Sequence, residues 1–287
     1  MSAELALRAS GLVKQYRRGR VVDGVDLSVA RGERVALLGP NGAGKTTTLL
    51  MCMGVVRPDA GNVEILGHRL PRERTAALNR VGFGAGYLPL PDKMRVIEYL
   101  KMYARLAGLR RPDPAARDTL ERFGIGHLAR ALGTELSSGQ KTLVGIAKSV
   151  LNAPELLVLD EPTASLDPDV ALRVRTALRE TCADRGTALL VTSHNMVEVE
   201  RLCERIIFLS FGRVVADGTA AQITERFGRA DLEEVFLHLA NLRDQGAPAE
   251  PAEPASTEPA AEPDGTGPAA TGPAPAQPDP TMQEANR

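Results

Sequence analysis

Residues 34–46 read RVALLGPNGAGKT, an apolar run followed by a glycine-rich turn that ends in lysine and threonine. The apolar run predicts a buried strand over residues 34–38, and a helix is predicted over residues 47–53. A glycine, four residues and then Gly-Lys-Thr between a strand and a helix match the phosphate-loop pattern. A plain glycine-rich turn is the alternative, but the lysine, the hydroxyl and the strand-to-helix placement together favour phosphate binding.

The phosphate loop predicts a set of groups around a bound nucleoside triphosphate. Its glycines let consecutive main-chain N–H groups and the helix N-terminus point at phosphate oxygens. Lys45 is placed to reach the β- and γ-phosphates, and the Thr46 hydroxyl is placed to ligate Mg²⁺. The predicted nucleotide-contacting residues of this segment are Gly39, Asn41, Gly42, Ala43, Gly44, Lys45, Thr46 and Thr47.

A second apolar run, residues 155–159, predicts another buried strand that ends in two acids, Asp160 and Glu161. Adjacent carboxylates at the end of a buried strand call for a cationic partner. Asp160 would hold Mg²⁺, directly or through water, and Glu161 would polarise the water that attacks the γ-phosphate. The alternative is an exposed strand end before the turn at Pro162, which the phosphate loop makes the weaker interpretation.

Short apolar runs alternate with helical patterns along the chain, which predicts an α/β domain with a largely parallel sheet. Residues 187–191 form a third predicted strand. A helix is predicted over residues 168–185, with Asp167 as N-cap, proline at the first helical position and Gly186 beyond the end. Residues 94–150 show only helical periodicity and predict an inserted helical subdomain.

Composition separates a folded part from a tail. Residues 246–287 hold ten of the 20 prolines and almost no large apolar side chain, so we predict that they are disordered. This tail carries seven acidic residues and one arginine, whereas the whole chain has a net charge of −1, so the remainder is mildly basic. The three cysteines, Cys52, Cys182 and Cys203, are far apart and are predicted to be reduced core residues.

Two absences bear on where the chain works. No apolar run approaches the ~20 residues of a membrane helix, and the N-terminus lacks the pattern of a secretory signal. We therefore expect a cytosolic location. The basic remainder suits a nucleotide ligand or an anionic membrane surface, and it decides between neither.

Residues 136–140 read LSSGQ, open a predicted amphipathic helix and precede the strand that ends at Asp160. With the phosphate loop, this segment resembles the Leu-Ser-Gly-Gly-Gln signature of the ATP-binding cassette (ABC) family, over about residues 4–240. The resemblance implies a P-loop NTPase (RecA-like) core with an N-terminal antiparallel β subdomain and a helical insert. The implied units are a core at 1–90 and 151–220, a signature subdomain at 91–150, a helical end at 221–245 and the tail at 246–287.

In the family that this chain resembles, two ATPase domains enclose two MgATP molecules, and the signature of one faces the γ-phosphate bound by the other. Ser137, Gly139 and Gln140 would make that contact from the start of their helix. Ser137 as a simple N-cap is compatible with it. The resemblance therefore implies a dimer with itself or with a similar subunit.

Three more positions match the family's pattern. Tyr16 falls where an aromatic stacks on adenine, although a half-buried strand tyrosine is the alternative. His194 follows the third strand, where the family's histidine contacts the γ-phosphate, and a structural histidine is the alternative. Asp167, in residues 165–167, resembles the segment that touches the opposite subunit, a role that its N-cap position allows. The resemblance implies Lys45, Glu161 and His194 as the catalytic groups.

One position departs from the family's pattern. The family usually carries a glutamine after a Tyr-apolar-Pro run, whereas residues 87–90 read YLPL, so that Leu90 stands in its place. Leucine neither ligates Mg²⁺ nor orients water. Either another residue covers the gap or hydrolysis is slower. Since Lys45, Asp160, Glu161 and His194 are present, we predict an active ATPase rather than an inactive regulatory cassette.

The function implied by the resemblance is ATP-driven transport through a separate transmembrane permease, with this subunit on the cytoplasmic face of the membrane. Residues 231–237, DLEEVFL, resemble the C-terminal end of exporter subunits, and an amphipathic helix that closes the domain explains them equally. The alternative function is a soluble ABC ATPase that acts on ribosomes or DNA. A single cassette and the lack of a basic stripe with exposed aromatics favour transport and no nucleic-acid partner. The transported substrate is not encoded here.

Overall fold

The computed structural model describes residues 4–17, 19–85, 90–164 and 166–244. These residues fold into two sheets with helices around them. The strands are β1 (Leu5–Tyr16), β2 (Gly19–Ala30), β3 (Arg34–Leu38), β4 (Ala60–Ile65), β5 (His68–Arg69), β6 (Val81–Ala85), β7 (Leu156–Asp160), β8 (Ala188–Thr192), β9 (Arg205–Ser210) and β10 (Arg213–Gly218). The α-helices are α1 (Lys45–Cys52), α2 (Arg74–Leu78), α3 (Val96–Leu106), α4 (Pro112–Arg122), α5 (Ser138–Val150), α6 (Pro168–Arg185), α7 (Met196–Leu202), α8 (Ala220–Phe227) and α9 (Leu232–Asp244). Two short 3-10 helices cover Gly126–Leu128 and Gly133–Glu135. The predicted α/β class is confirmed.

The larger sheet has the strand order β10-β9-β3-β8-β7-β6, and only the β10–β9 pair is antiparallel. Strands β7 and β8 are buried along their whole length, as continuous apolar runs in a sheet covered on both faces should be. Parallel strands end at the same edge of their sheet. The segments that follow β3, β7 and β8 therefore meet there.

The smaller sheet is antiparallel, with the order β2-β1-β4-β5. Strands β1 and β2 form a hairpin that closes at the pair Tyr16 and Gly19. Alternating burial along β2 keeps Val25, Leu27 and Val29 in the core and the residues between them toward solvent. This sheet is the N-terminal antiparallel β subdomain that the family resemblance implies.

Helices α3, α4 and α5 lie within residues 91–150, the stretch predicted to be helical only. Helix α5 lies against β6 without a side chain between them at Gly82, because a Cβ there would come within 1.9 Å of the Ser149 carbonyl oxygen. Helix α3 buries Val96, Tyr99, Leu100 and Ala104 on one face, and Ala107 just after it is exposed. The division of the chain into subdomains at the predicted boundaries stays a prediction.

Helix α6 has the predicted bounds and capping positions. Asp167 occupies the N-cap, although its side chain makes no capping hydrogen bond, and Gly186 adopts the left-handed conformation at φ 61°. The cysteines are free, with Cys52 and Cys182 buried and Cys203 partly buried. Residues 231–237 fall largely in α9, which buries Leu232, Val235 and Leu239.

Some predictions concern residues outside the described ranges. They include the tail at 246–287, residues 87–89 before Leu90, and Ser165. Within the described ranges, no helix combines the length and apolar character needed to cross a membrane.

Candidate nucleotide-binding site

The predicted phosphate loop connects β3 to α1. Helix α1 begins at Lys45, two residues before the predicted start, because Gly44 at φ 103° turns the chain directly into the helix. Gly44 offers no side chain that caps the first turn. The N-terminus of α1 is therefore open to an anion from outside the helix.

Glycine is required in this loop by close main-chain contacts. A Cβ at Gly39 would lie 2.0 Å from the Leu209 carbonyl oxygen, and one at Gly44 would lie 2.6 Å from the Val21 carbonyl oxygen. Gly42 also has a positive φ, 76°. The loop is thus folded tightly against β2 and β9 with its outer side, at Asn41 and Gly42, exposed to solvent.

Lys45 folds back over the loop that it follows. Its side chain is largely buried, and Nζ donates to the carbonyl oxygens of Gly39 at 2.6 Å and Pro40 at 3.2 Å. A phosphate seated in the loop would offer the ammonium a charged acceptor in place of these neutral ones. Three other residues predicted to contact the nucleotide lie close to Lys45 in the chain. Ala43 is buried, Thr46 is exposed and Thr47 is partly buried.

Thr46 and Asp160 are brought together as predicted. The Thr46 hydroxyl donates to Asp160 Oδ2 at 3.2 Å, which joins the start of α1 to the end of β7. A hydroxyl and a carboxylate beside a phosphate loop fit Mg²⁺, which takes few protein oxygens and completes its shell with phosphate and water. The geometry is compatible with the predicted metal pair.

Thr192, at the end of β8, is a site residue that the sequence analysis missed. Its hydroxyl donates to Asp160 Oδ1 at 2.6 Å and accepts from the Glu161 N–H at 2.9 Å. Asp160 and Thr192 are neighbours in the β7–β8 register. A hydroxyl at the end of a predicted parallel strand was the available signal, but it needs the strand order to be interpreted.

Glu161 and His194 face each other at the same sheet edge. Glu161 has φ 50°, an uncommon value for this residue type, and its N–H is held by the carbonyl and hydroxyl oxygens of Thr192. Its Oε2 lies 2.6 Å from His194 Nδ1. The His194 ring is 59% exposed, and so remains accessible to a ligand.

The signature segment begins α5 with its own polar groups paired. The Ser137 hydroxyl accepts from the Gln140 N–H at 3.2 Å, and Gln140 Oε1 accepts from the Ser137 N–H at 2.9 Å. This is a capping box, so the predicted N-cap is present. Ser137 is exposed and Gly139 is partly exposed, which leaves this surface accessible to a second molecule.

Two other predicted positions differ in what surrounds them. Tyr16 ends β1 with 45% of its surface exposed, and Lys14 Nζ lies 5.6 Å from the centre of its ring. Its ring is available to stack on a base. Leu90 is 8% exposed and belongs to the apolar cluster that contains Val96 and Leu100. Its side chain is a core group, not a substitute for the family's glutamine.

A groove lies where α3 and α5 meet β6. It encloses about 580 Å³ and is lined by Phe83, Tyr103, Leu106 and Lys148 among others. Leu106 is 74% exposed, the most exposed large apolar side chain among the described residues. Lys148 Nζ donates to the Phe83 carbonyl oxygen at 2.9 Å, and burial lowers the pKa of this ammonium.

The family model described as ABC transporter matches residues 22–164. Two relatives align over most of their length. The daunorubicin resistance ATP-binding protein DrrA3 of Streptomyces coeruleorubidus is 35% identical over 242 residues, which cover 84% of this chain and 76% of that protein. The Nod factor export ATP-binding protein I of Paraburkholderia xenovorans is 38% identical over 249 residues, 85% of this chain and 81% of that protein.

Solved structures share the fold. The ATP-binding subunit of an ABC transporter superposes with a TM-score of 0.74 at 31% identity, over 82% of this chain and 99% of that one. A bacterial ABC transporter cassette, solved as a dimer, gives a TM-score of 0.70 at 24% identity, over 74% of this chain and 98% of that one.

Proposed function

Because this chain belongs to the ABC transporter family and is an ATP-binding, ATP-hydrolysing subunit of it, we propose that it powers an exporter whose permease is a separate chain. The observation that carries this proposal is the meeting of the phosphate loop, Asp160 and the Glu161–His194 pair at one sheet edge. The export direction rests on relatives named for drug resistance and Nod factor export. No observation favours the ribosome or DNA alternative.

Each site group has a role that its surroundings support. The main chain of residues 39–46 and the Lys45 ammonium bind the phosphates, and the Tyr16 ring stacks on adenine. Thr46 and Asp160 would hold Mg²⁺, which would neutralise phosphate charge. Glu161 is the general base, which accepts a hydrogen bond and then the proton from the attacking water.

His194 completes the γ-phosphate side of the site. In the structure its Nδ1 is engaged by Glu161, which orients the ring and leaves Nε2 as the group for a phosphate oxygen. The pair thereby fixes the base and the phosphate contact relative to each other. Substituting either residue should slow hydrolysis more than it weakens ATP binding.

The active unit in this proposal is a dimer of this chain or of this chain with a similar subunit. Ser137, Gly139 and Gln140 form an exposed helix start whose dipole and N–H groups suit an anion. They would contact the nucleotide held by the other subunit, with Asp167 near the same interface. ATP thus closes the dimer and hydrolysis reopens it.

The permease contact is proposed at the groove between α3, α5 and β6. Leu106 gives this groove an apolar rim, and the groove touches both the helical segment and the core strand that leads toward Leu90. A short cytoplasmic helix of a membrane protein, with apolar side chains for the rim, fits it. In this proposal the subunit works at the cytoplasmic face of the membrane.

The experiment is affinity purification of the tagged chain from its host's solubilised membranes, with identification of a membrane protein that co-purifies. We expect the two to co-purify and the complex to hydrolyse MgATP, whereas Leu106→Glu releases the subunit from the membrane protein. Leu237→Glu, at another exposed leucine, is the matched control and should stay bound. A parent chain that co-purifies with no membrane protein would contradict the transport proposal.

A further inference from the structure

A buried ion pair lies behind the Glu161–His194 pair. Glu198 on α7 is 8% exposed, and its Oε1 lies 3.4 Å from Arg175 Nη1 on α6. Its other oxygen, Oε2, accepts a hydrogen bond from the Thr163 hydroxyl. A carboxylate this deeply buried is costly unless it is paired, so both partners are needed to hold it there.

The chain connects this carboxylate closely to both catalytic loops. Thr163 follows Glu161 by two residues, and Glu198 follows His194 by four. The segment between His194 and Glu198 is itself fixed, because Asn195 Oδ1 accepts from the Glu198 N–H at 3.1 Å and caps α7. This cap links the position of Glu198 to the segment that directly follows His194.

Open space borders one side of these polar contacts. A cavity of about 400 Å³ lies beside them, lined by Thr163, Arg175, His194, Asn195, Glu198 and Arg201 among others. Side chains that border a cavity lack the dense packing that holds a core residue in place. The core residues Met196, Val199 and Leu202 pack α7 from its other side, while hydrogen bonding and charge join α7 to the loop after Glu161.

We propose that Glu198 is a positioning residue for ATP hydrolysis, which ties the loop after Glu161 to the helix after His194 and so sets their separation. Thr192 holds Glu161 directly from the strand side, and the Thr163–Glu198 hydrogen bond anchors the same loop two residues further along the chain. The inference rests on the proposed catalytic roles of Glu161 and His194. Its effect is on the geometry of the hydrolysis step, not on nucleotide binding.

The test compares Thr163→Val, Thr163→Ser and Glu198→Gln in steady-state MgATP hydrolysis by the full chain. Thr163→Val removes the hydroxyl at nearly constant volume, and Thr163→Ser keeps it. We expect kcat to fall about 10-fold in Thr163→Val and Glu198→Gln, with KM within about two-fold, because misplaced groups lose rate rather than affinity. Thr163→Ser should restore kcat to within about two-fold of the parent.

The matched control is Glu204→Gln, which removes an ion pair with Arg34 at the opposite ends of the strands and should leave kcat unchanged. The proposal is overturned if Thr163→Val or Glu198→Gln retains the parental kcat. A loss of ADP binding or of thermal stability in step with kcat also overturns it, since such a loss would mark a purely structural contact. If Glu161→Gln hydrolyses ATP at the parental rate, the catalytic assignment itself fails, which separates the two hypotheses.

Discussion

Helices α1 and α5 both begin at segments expected to meet phosphate, but their first turns differ. The start of α1 has Gly44 as N-cap and no capping side chain, with the Lys45 side chain folded into the loop. The start of α5 is closed by the mutual pairing of Ser137 and Gln140. In the proposed dimer, the uncapped turn of α1 binds phosphate within one chain, whereas the self-capped turn of α5 is stable alone and meets the nucleotide that the other subunit holds.

The largest effect should come from substituting Glu161, which follows β7 at the same sheet edge as the start of α1. Glu161→Gln removes the general base, so hydrolysis should fall by about 100-fold or more while ATP still binds. The bound ATP should then trap a dimer, visible by size-exclusion chromatography. Glu200→Gln, at an exposed residue of α7, is the control; a chain that stays monomeric under every ATP condition would argue against a shared site at α5.

Lys45→Met should have the next largest effect and act on binding. In the proposed site the ammonium makes charged hydrogen bonds to phosphate, and its loss should weaken ATP affinity by roughly 10- to 100-fold. Titration calorimetry with ATP measures this directly. Lys93→Met, at an exposed lysine outside the site, should bind like the parent, and equal affinity in both variants would refute the role given to Lys45.

Ser137→Ala tests the other side of the comparison. It should leave ATP binding unchanged but lower hydrolysis about five- to ten-fold, because it removes a hydroxyl offered to the second subunit's nucleotide and an N-cap worth ~1 kcal/mol. Hydrolysis measured at several protein concentrations reports the dimer step. The neighbouring Ser138→Ala keeps the cap and should behave like the parent; weakened ATP binding in Ser137→Ala would place the signature within the chain's own site.

Leu90→Gln should have the smallest effect on activity. Because Leu90 is a core side chain, glutamine there would bury an amide and lower the free energy of unfolding by about 1–3 kcal/mol. Hydrolysis should change by less than about two-fold. Chemical denaturation and ATPase assays check both, with the exposed Leu106→Gln as the stable control. A clear rise in hydrolysis would show that the missing glutamine limits turnover.

The elements predicted most closely are those whose limits are written locally. Strand β3 is a continuous apolar run, and α6 carries proline at its start and glycine at its end, so both have the predicted bounds. Helix α1 starts earlier than predicted because the conformation of Gly44, not its identity alone, decides where the turn becomes helical. Local sequence patterns predict where an element begins and ends better than they predict which elements lie beside it.

The site divides in the same way. Groups inside contiguous motifs, such as Lys45 and Glu161, were predicted from sequence. Thr192 and the Thr163–Glu198 contact were not, since they depend on which strands and helices lie side by side. That information resides in the order of strands and helices in space, which brings together residues that are far apart in the chain.

Strand order also bears on when the phosphate loop can fold during synthesis. Strand β3, which precedes the phosphate loop, pairs with β8 and β9 and with no strand nearer in sequence. During synthesis the loop is complete long before residues 188–210 exist to hold its strand. We therefore expect the capacity to bind ATP to arise late in synthesis, when β8 and β9 insert on either side of β3.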